Sequence, residues 1–310
     1  MQKALEELAQ GKLVAFPTET VYGLGADAAS PQALDRLYQT KGRPRNHPVI
    51  VHLGSSQWLG KWAHCNDWAE ALMEAFWPGP LTLILKRVEG VSDQLTGGQD
   101  SVGVRMPSHP LALELLNQFG GGLAAPSANR FGRISPTTAD HVEQEFQGQV
   151  AVLDGGACPV GVESTIIDVS GEEPVLLRPG HITPSQLSQV LGRPIAVSGG
   201  AVRAPGTLES HYAPNTPAFL VPSARLAEVL ALVETAKTGL LSADPPSQEL
   251  FWLQAQTEPR NYARELYANL RLLDGAGLKE ILIETPPQGE AWTAVSDRLA
   301  RATQGFKETK

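Results

Sequence analysis

From the N terminus to residue 192, short apolar runs alternate with helical stripes of apolar residues, the pattern of a sheet flanked by helices. The first run, Leu13–Gly25, is interrupted at Pro17 by a turn that carries Thr18, Glu19 and Thr20. Ser30-Pro31 supplies an N-cap and a first-turn proline for a helix with Ala33, Leu34, Leu37 and Tyr38 on its apolar face, and Gly42 stops it after Lys41. Pro48–Leu53 reads as a strand, Asp67–Phe76 as a helix ended by Trp77-Pro78-Gly79-Pro80, and Leu81–Leu85 as the next strand. Further strands are predicted at Val102–Met106, Leu123–Ala125, Val150–Leu153, Gly161–Val169 and Val175–Arg178, with helices near 110–119, 137–146 and 184–191. Some strand pairs have no helix between them, so the expected sheet, of about seven strands, is mixed.

Residues 193–217 carry no period and are punctuated by Pro194, Gly199, Gly200, Pro205, Gly206, Pro214 and Pro217, the composition of a linker. Beyond it, strands at Ala218–Val221, Gly239–Leu241 and Ile281–Glu284 and helices at Arg225–Lys237, Tyr262–Leu273 and Trp292–Thr303 predict a small α/β unit. A chain of 310 residues fits two domains, here 1–192 and 218–310. Hydrophobic content of 42% and charged content of 19% are those of a folded globular protein. No apolar run approaches the roughly 20 residues of a membrane span, and the opening MQKALEELAQGK reads as a polar amphipathic helix rather than a signal peptide. Cys65 and Cys158 stand far apart and in no metal-ligand spacing, which suits reduced thiols in a cytoplasmic protein. The histidines form no HExxH pattern, and no protein-held metal is expected.

A net charge of −8 argues against a broad nucleic-acid platform. Residues 1–192 hold 13 Lys and Arg against 20 Asp and Glu, yet Lys41, Arg43, Arg45, Arg105, Arg130, Arg133 and Arg178 all fall in or beside the loops at strand ends. A small anion site in an acidic body fits that distribution. Neither GxxxxGK[ST] nor a GxGxxG opening a helix is present, so side-chain cations and hydroxyls would have to hold any nucleotide phosphate. Lys41 and Arg43 bracket Gly42 at a helix end, where compensation of the helix dipole is an alternative role. Strand alternation puts Arg105 on the same face as Gly103, positioned to fork onto a carboxylate or phosphate or to form an internal ion pair. Ser127 and Asn129 leave a small-residue turn, Ser135 could cap the next helix, Ser164 opens a strand, and Arg178 ends one.

PTETVYGLG, KGRP with Pro48 after it, VGVRMP, APSAN, GVESTIID and LLRPG, in this order and spacing, resemble the YrdC-type threonylcarbamoyl-AMP synthases over about residues 5–192. HYAP at 211–214 and the C-terminal YARELYANLRLLDGAG and AVSDRLARAT resemble the long, two-domain form of that family. The resemblance implies a YrdC-like twisted mixed sheet with flanking helices, followed by a small Rossmann-like α/β domain. It implies an enzyme that joins L-threonine, bicarbonate and ATP into threonylcarbamoyl-AMP with release of pyrophosphate, handing the product to proteins that modify tRNA. Carried over by motif, Thr20, His52, Arg105, Ala125 and Ser164 would hold threonine. Lys41, Arg43, His47, Ser101, Ser127, Asn129, Ser135, Arg178 and Tyr212 would surround ATP, with Lys41 and Arg43 the candidates for catalysis by charge neutralisation. Mg2+ would ride on the ATP phosphates. His47 departs from the asparagine common at that place in the family. Tyr212 is expected to reach over the ligand from the linker, with the second domain dispensable. Two rival readings are a carbamoyl-adenylate-forming enzyme, whose relatives carry cysteine motifs that this chain lacks, and an RNA-binding module, against which the acidic balance speaks; direct tRNA binding stays open.

Overall fold

The computed structural model describes residues 1–197, 202–206 and 211–305, residues 304 and 305 by their backbone alone. The chain forms two compact units, Met1–Phe131 with Ser135–Thr207, and Gly132–Ile134 with Leu208–Lys310. The first is organised on a ten-stranded mixed sheet in the order Ala196–Val197, Val175–Arg178, Thr165–Asp168, Leu81–Lys86, Ser101–Arg105, Ile50–His52, Leu123–Ala124, Gly23–Asp27, Val14–Phe16, Ala151–Val152. The strand count exceeds the sequence expectation of about seven for a physical reason: the Leu13–Gly25 run folds back at Pro17 into two antiparallel strands, and Ala196–Val197 adds a two-residue strand too short to alternate. Thr18 ties that fold-back, its hydroxyl donating to Val21 O at 2.6 Å and accepting from the Thr20 and Val21 amides at 3.2 Å.

Alternation along the central strands separates the two faces of the sheet. Val51, Leu81, Leu83, Leu85, Val102 and Val104 enter the main core, packed with Leu34, Leu37 and Tyr38 of the helix Pro31–Lys41 and Leu72 of the helix Asp67–Phe76. Ile50, His52, Thr82, Ile84, Ser101, Gly103, Arg105 and Ile166 are left for the opposite face. Gly103 lies low between its neighbours there: a Cβ on it would meet Ile84 Cδ1 at 3.1 Å and Ile50 Cγ1 at 3.3 Å. The segment expected as a linker takes part in this unit. Ala196–Val197 pairs in parallel with Val175–Leu176, and Val202 and Ala204 lie on the patch of Ile50, Ile84 and Ile166. Gln99 brackets Arg203, accepting from its amide at 2.7 Å and donating to its carbonyl at 3.1 Å, while the Arg203 guanidinium donates to Gly97 O.

The second unit has a five-stranded parallel sheet in the order Phe251–Gln254, Thr238–Ser242, Glu280–Glu284, Ala218–Val221, Gln304–Gly305. Helices Pro259–Asp274 and Thr293–Ala302 are amphipathic, burying Leu266, Tyr267, Leu270 and Leu273 from the first and Val295, Arg298 and Leu299 from the second. The helix expected over Arg225–Lys237 is instead three short pieces, 3-10 turns at Ser223–Arg225 and Thr235–Lys237 and an α-helix at Leu226–Leu230. Together the sheets and helices make the α/β fold expected from the sequence.

Candidate active site

On the open face of the first sheet, Arg105 extends from the end of its strand and is 4% exposed. Its Nη1 donates to Thr20 Oγ1 at 2.9 Å and its Nε to Gly79 O at 3.3 Å. Nη2 stands 2.7 Å from Glu19 Oε1, an ion pair that is off the line of a hydrogen bond, so both atoms keep hydrogen-bonding capacity. Glu19 Oε2 accepts from the Ser108 amide at 3.1 Å, which anchors the carboxylate in the PTET turn. The internal ion pair, the alternative to ligand binding for Arg105, therefore exists. A paired, buried guanidinium at a fixed angle also has the form of a carboxylate clamp. His52 lies across from Arg105 in register, with Nδ1 3.3 Å from Ile50 O. Burial and then the Arg105 charge push its pKa down to about 3, so the imidazole is neutral at physiological pH. Ala125 donates its amide to Ile50 O at 2.9 Å and places a methyl group beside Gly23.

Ser164 is fully buried, 2.8 Å from Thr82 Oγ1. Arg178 holds Ser164 from the side, with Nε and Nη2 donating to its carbonyl at 3.1 and 2.9 Å and Nη2 to its hydroxyl at 3.1 Å. Arg178 Nη1 donates to Pro205 O at 2.9 Å, so this arginine joins a strand end to the segment 202–206. Lys41 is the last residue of its helix, and Gly42 closes that helix in the left-handed conformation at φ 65°. Its ammonium leaves the helix carbonyls and donates to Ser127 O at 2.8 Å and Asn129 O at 2.5 Å, with Asn129 Oδ1 at 3.4 Å. Dipole compensation thus does not account for where Lys41 points. Burial, with the Arg43 charge, holds its pKa well below the usual lysine range. Arg43 donates to His47 O and Pro48 O at 3.3 and 2.7 Å, and its guanidinium stands 5.6 Å from the centre of the Phe131 ring, against which His47 packs edge-on. Ser101 is buried at the start of the Arg105 strand. Ser135 does not cap the following helix. Thr138 does, and the Ser135 hydroxyl donates to Glu163 Oε1 at 2.6 Å.

These contacts form three groups in the first unit: Thr20 with Arg105, Ser164 with Arg178, and Lys41 with Ser127 and Asn129. Tyr212 belongs to the second unit. It is 1% exposed, holds φ 63°, stacks on Tyr267 at 5.7 Å and lies 5.4 Å from the Arg298 guanidinium. The adjoining His211 donates its amide to Arg301 O at 3.1 Å. The sequence places this pair on a linker expected to work without the second domain; in the structure its packing comes from Tyr267 and Arg298, on helices of the second unit. Glu19 pairs with Arg105, Thr82 with Ser164 and Glu163 with Ser135, although the sequence alone assigns the three no role. Glu19 lies within the PTET turn and Glu163 directly precedes Ser164, and that adjacency is the signal that points to them.

A mixed sheet with buried cations and hydroxyls at its strand ends is followed by a parallel α/β unit. Residues 6–180 match the Sua5/YciO/YrdC family, described as "Telomere recombination", and residues 182–304 match the "Threonylcarbamoyl-AMP synthase, C-terminal domain" family. The chain is 41% identical to the threonylcarbamoyl-AMP synthase of Pyrococcus abyssi over 97% of this chain and 93% of that protein. With the Bacillus subtilis protein of the same name it shares 38% identity over 96% of this chain and 91% of that protein. The crystal structure of P. abyssi Sua5 complexed with L-threonine superposes with a TM-score of 0.90 at 38% identity, covering 99% of this chain and 96% of that one. The chain belongs to the Sua5-type, two-domain branch of the threonylcarbamoyl-AMP synthase family.

Proposed function

We propose that this chain condenses L-threonine, bicarbonate and ATP into threonylcarbamoyl-AMP and releases pyrophosphate, supplying the intermediate for threonylcarbamoyladenosine in tRNA. The observation that carries the reading is the Arg105 clamp beside a neutral His52, on a face kept low by Gly103, in a chain of this family. In this reading the threonine carboxylate meets Arg105, and Thr20, His52, Ser164 and the Ala125 backbone surround the rest of the amino acid. The amine takes up bicarbonate to give a carbamate and water. A carbamate oxygen then attacks the α-phosphorus and pyrophosphate leaves, so no protein nucleophile is needed and positioning with charge neutralisation carries the rate. Lys41 and Arg43 would supply that charge, with Ser127, Asn129, Ser135, Ser101, His47 and Arg178 about the nucleotide. Among the described residues no three His, Cys, Asp or Glu gather into a metal site, and Mg2+ would enter as the ion carried by ATP. The test incubates the protein with ATP, L-threonine and bicarbonate and looks for threonylcarbamoyl-AMP by mass spectrometry. Product that disappears when threonine or bicarbonate is omitted supports the assignment, and ATP consumption indifferent to both would sink it.

A further inference from the structure

The second unit contains a cavity of about 360 Å³ that the chemistry above does not use. Part of its lining comes from the residues that directly follow four parallel strands: Pro222, Ala243, Ala255 and Thr285 continue the strands Ala218–Val221, Thr238–Ser242, Phe251–Gln254 and Glu280–Glu284. In open parallel sheets ligands bind outside the carboxyl ends of the strands, where the winding of the chain reverses. That reversal occurs here. The chain passes from Ala218–Val221 across to Thr238–Ser242 and the edge strand Phe251–Gln254, then returns to insert Glu280–Glu284 between the first two. Glu284, the last residue of the inserted strand, therefore stands at the turning point.

Two polar groups give the cavity its character. Glu284 Oε2 accepts from the Ala243 amide at 3.0 Å, which fixes the carboxylate at the strand ends. Tyr262, from the first turns of the helix Pro259–Asp274, lines the same cavity and is 5% exposed, yet its hydroxyl has no hydrogen-bond partner among the described residues. A buried hydroxyl without a partner loses the hydrogen bonds water would give it and calls for a partner. Burial and the nearby Glu284 charge push the phenol above its ordinary pKa, so it remains a donor. Trp292 meets Tyr262 edge-on, with ring centres 5.5 Å apart, and Pro286 is buried in the wall, so this part of the lining is apolar. None of the lining residues is Lys or Arg. A phosphate or carboxylate would meet Glu284 with nothing to neutralise it.

We propose that this cavity binds an unphosphorylated nucleoside, with Glu284 accepting from its ribose hydroxyls, Tyr262 donating to an acceptor on the base, and Trp292 and Pro286 packing on the ring. The volume lies in the range of small-molecule pockets, about 300–1,000 Å³, and the ligand's neutrality matches a lining with one acid and no base. The assignment is independent of the activity proposed for the first unit.

Calorimetric titration of the full chain with adenosine tests it. Saturable binding is expected, weakened about tenfold or more by Tyr262→Phe, which removes only the hydroxyl, and by Glu284→Gln, which keeps an acceptor for the Ala243 amide. Adenosine could also enter the first unit, so the component assigned to this cavity is the one that both variants remove. A second readout needs no variant of the two polar groups: in 5-fluorotryptophan-labelled protein, the resonance identified by Trp292→Phe should shift on titration with adenosine, and AMP should shift it less. Absence of any shift at Trp292, or unchanged adenosine affinity in both variants, overturns the proposal. So does a Trp292 response to tyramine but not to adenosine, which would make the cavity a site for an aromatic cation.

Discussion

Arg105 is held by three different partners, Thr20, Gly79 and Glu19, so its guanidinium plane is set before any ligand arrives. Lysine keeps the charge and loses the fork. Arg105→Lys is expected to raise the threonine concentration needed for half-maximal synthesis about tenfold or more, with the ATP requirement little changed; an equal loss for ATP would reassign the residue. Lys41 and Arg43 should behave in the opposite way. Alanine at either is expected to weaken ATP binding about tenfold or more and to slow pyrophosphate release, measured by a coupled pyrophosphate assay. His52 gives a prediction in stability. Its pKa falls from the ordinary histidine value of 6.5 to about 3 in the folded protein, so between these values the unfolded chain binds the proton and the native chain does not. Stability therefore declines as pH falls from about 6.5 towards 3, by up to about 1.4 kcal/mol per pH unit from this one group. Urea unfolding at pH 7 and pH 5 should show a smaller decline for His52→Gln than for the native sequence, and parallel declines would refute the assignment.

At the scale of elements, the segment 202–206 is a strap across the open sheet face, fastened by apolar contact beneath and by Gln99 and Arg178 at its edges. Gln99→Ala removes both hydrogen bonds to Arg203. Hydrogen exchange at the Arg203 amide is expected to accelerate about fivefold or more while the central strands stay protected; unchanged exchange would mean that the apolar contacts alone hold the strap. This strap was not legible in the sequence, where the prolines and glycines of 193–217 gave no period and the two-residue strand Ala196–Val197 before it offers no alternation to read. The elements with strong local signals were legible: Ser30 and Gly42 cap the helix Pro31–Lys41, and alternation put Arg105 on the face of Gly103. Phe251–Gln254 escaped because it is an edge strand with exposed ends that follows Pro245-Pro246 without a polar–apolar rhythm. The partners Glu19 and Glu163 escaped because a carboxylate's pairing depends on contacts far apart in sequence, such as Glu19 with Arg105 and Ser135 with Glu163.

For the whole molecule, the placement of Tyr212 against Tyr267 and Arg298 makes the second unit part of what shapes the HYAP motif. A chain ended after Pro214 keeps Tyr212 but loses both neighbours. Its synthesis of threonylcarbamoyl-AMP is expected to fall to the level of Tyr212→Ala in the full chain, and near-native activity of the truncated chain would show that Tyr212 needs no such support. The second unit also draws on residues far upstream. Gly132 O accepts from the Ala213 amide at 3.0 Å, Arg133 bridges to Ala213, and Ile134 O accepts from Arg271. A tripeptide translated early thus has its partners translated late. At about 5–20 residues per second, Gly132–Ile134 leaves the ribosome several seconds before Ala213 and longer before Arg271. During that interval the nascent chain carries a gap in its order of assembly, because Gly132–Ile134 waits for Ala213 and Arg271.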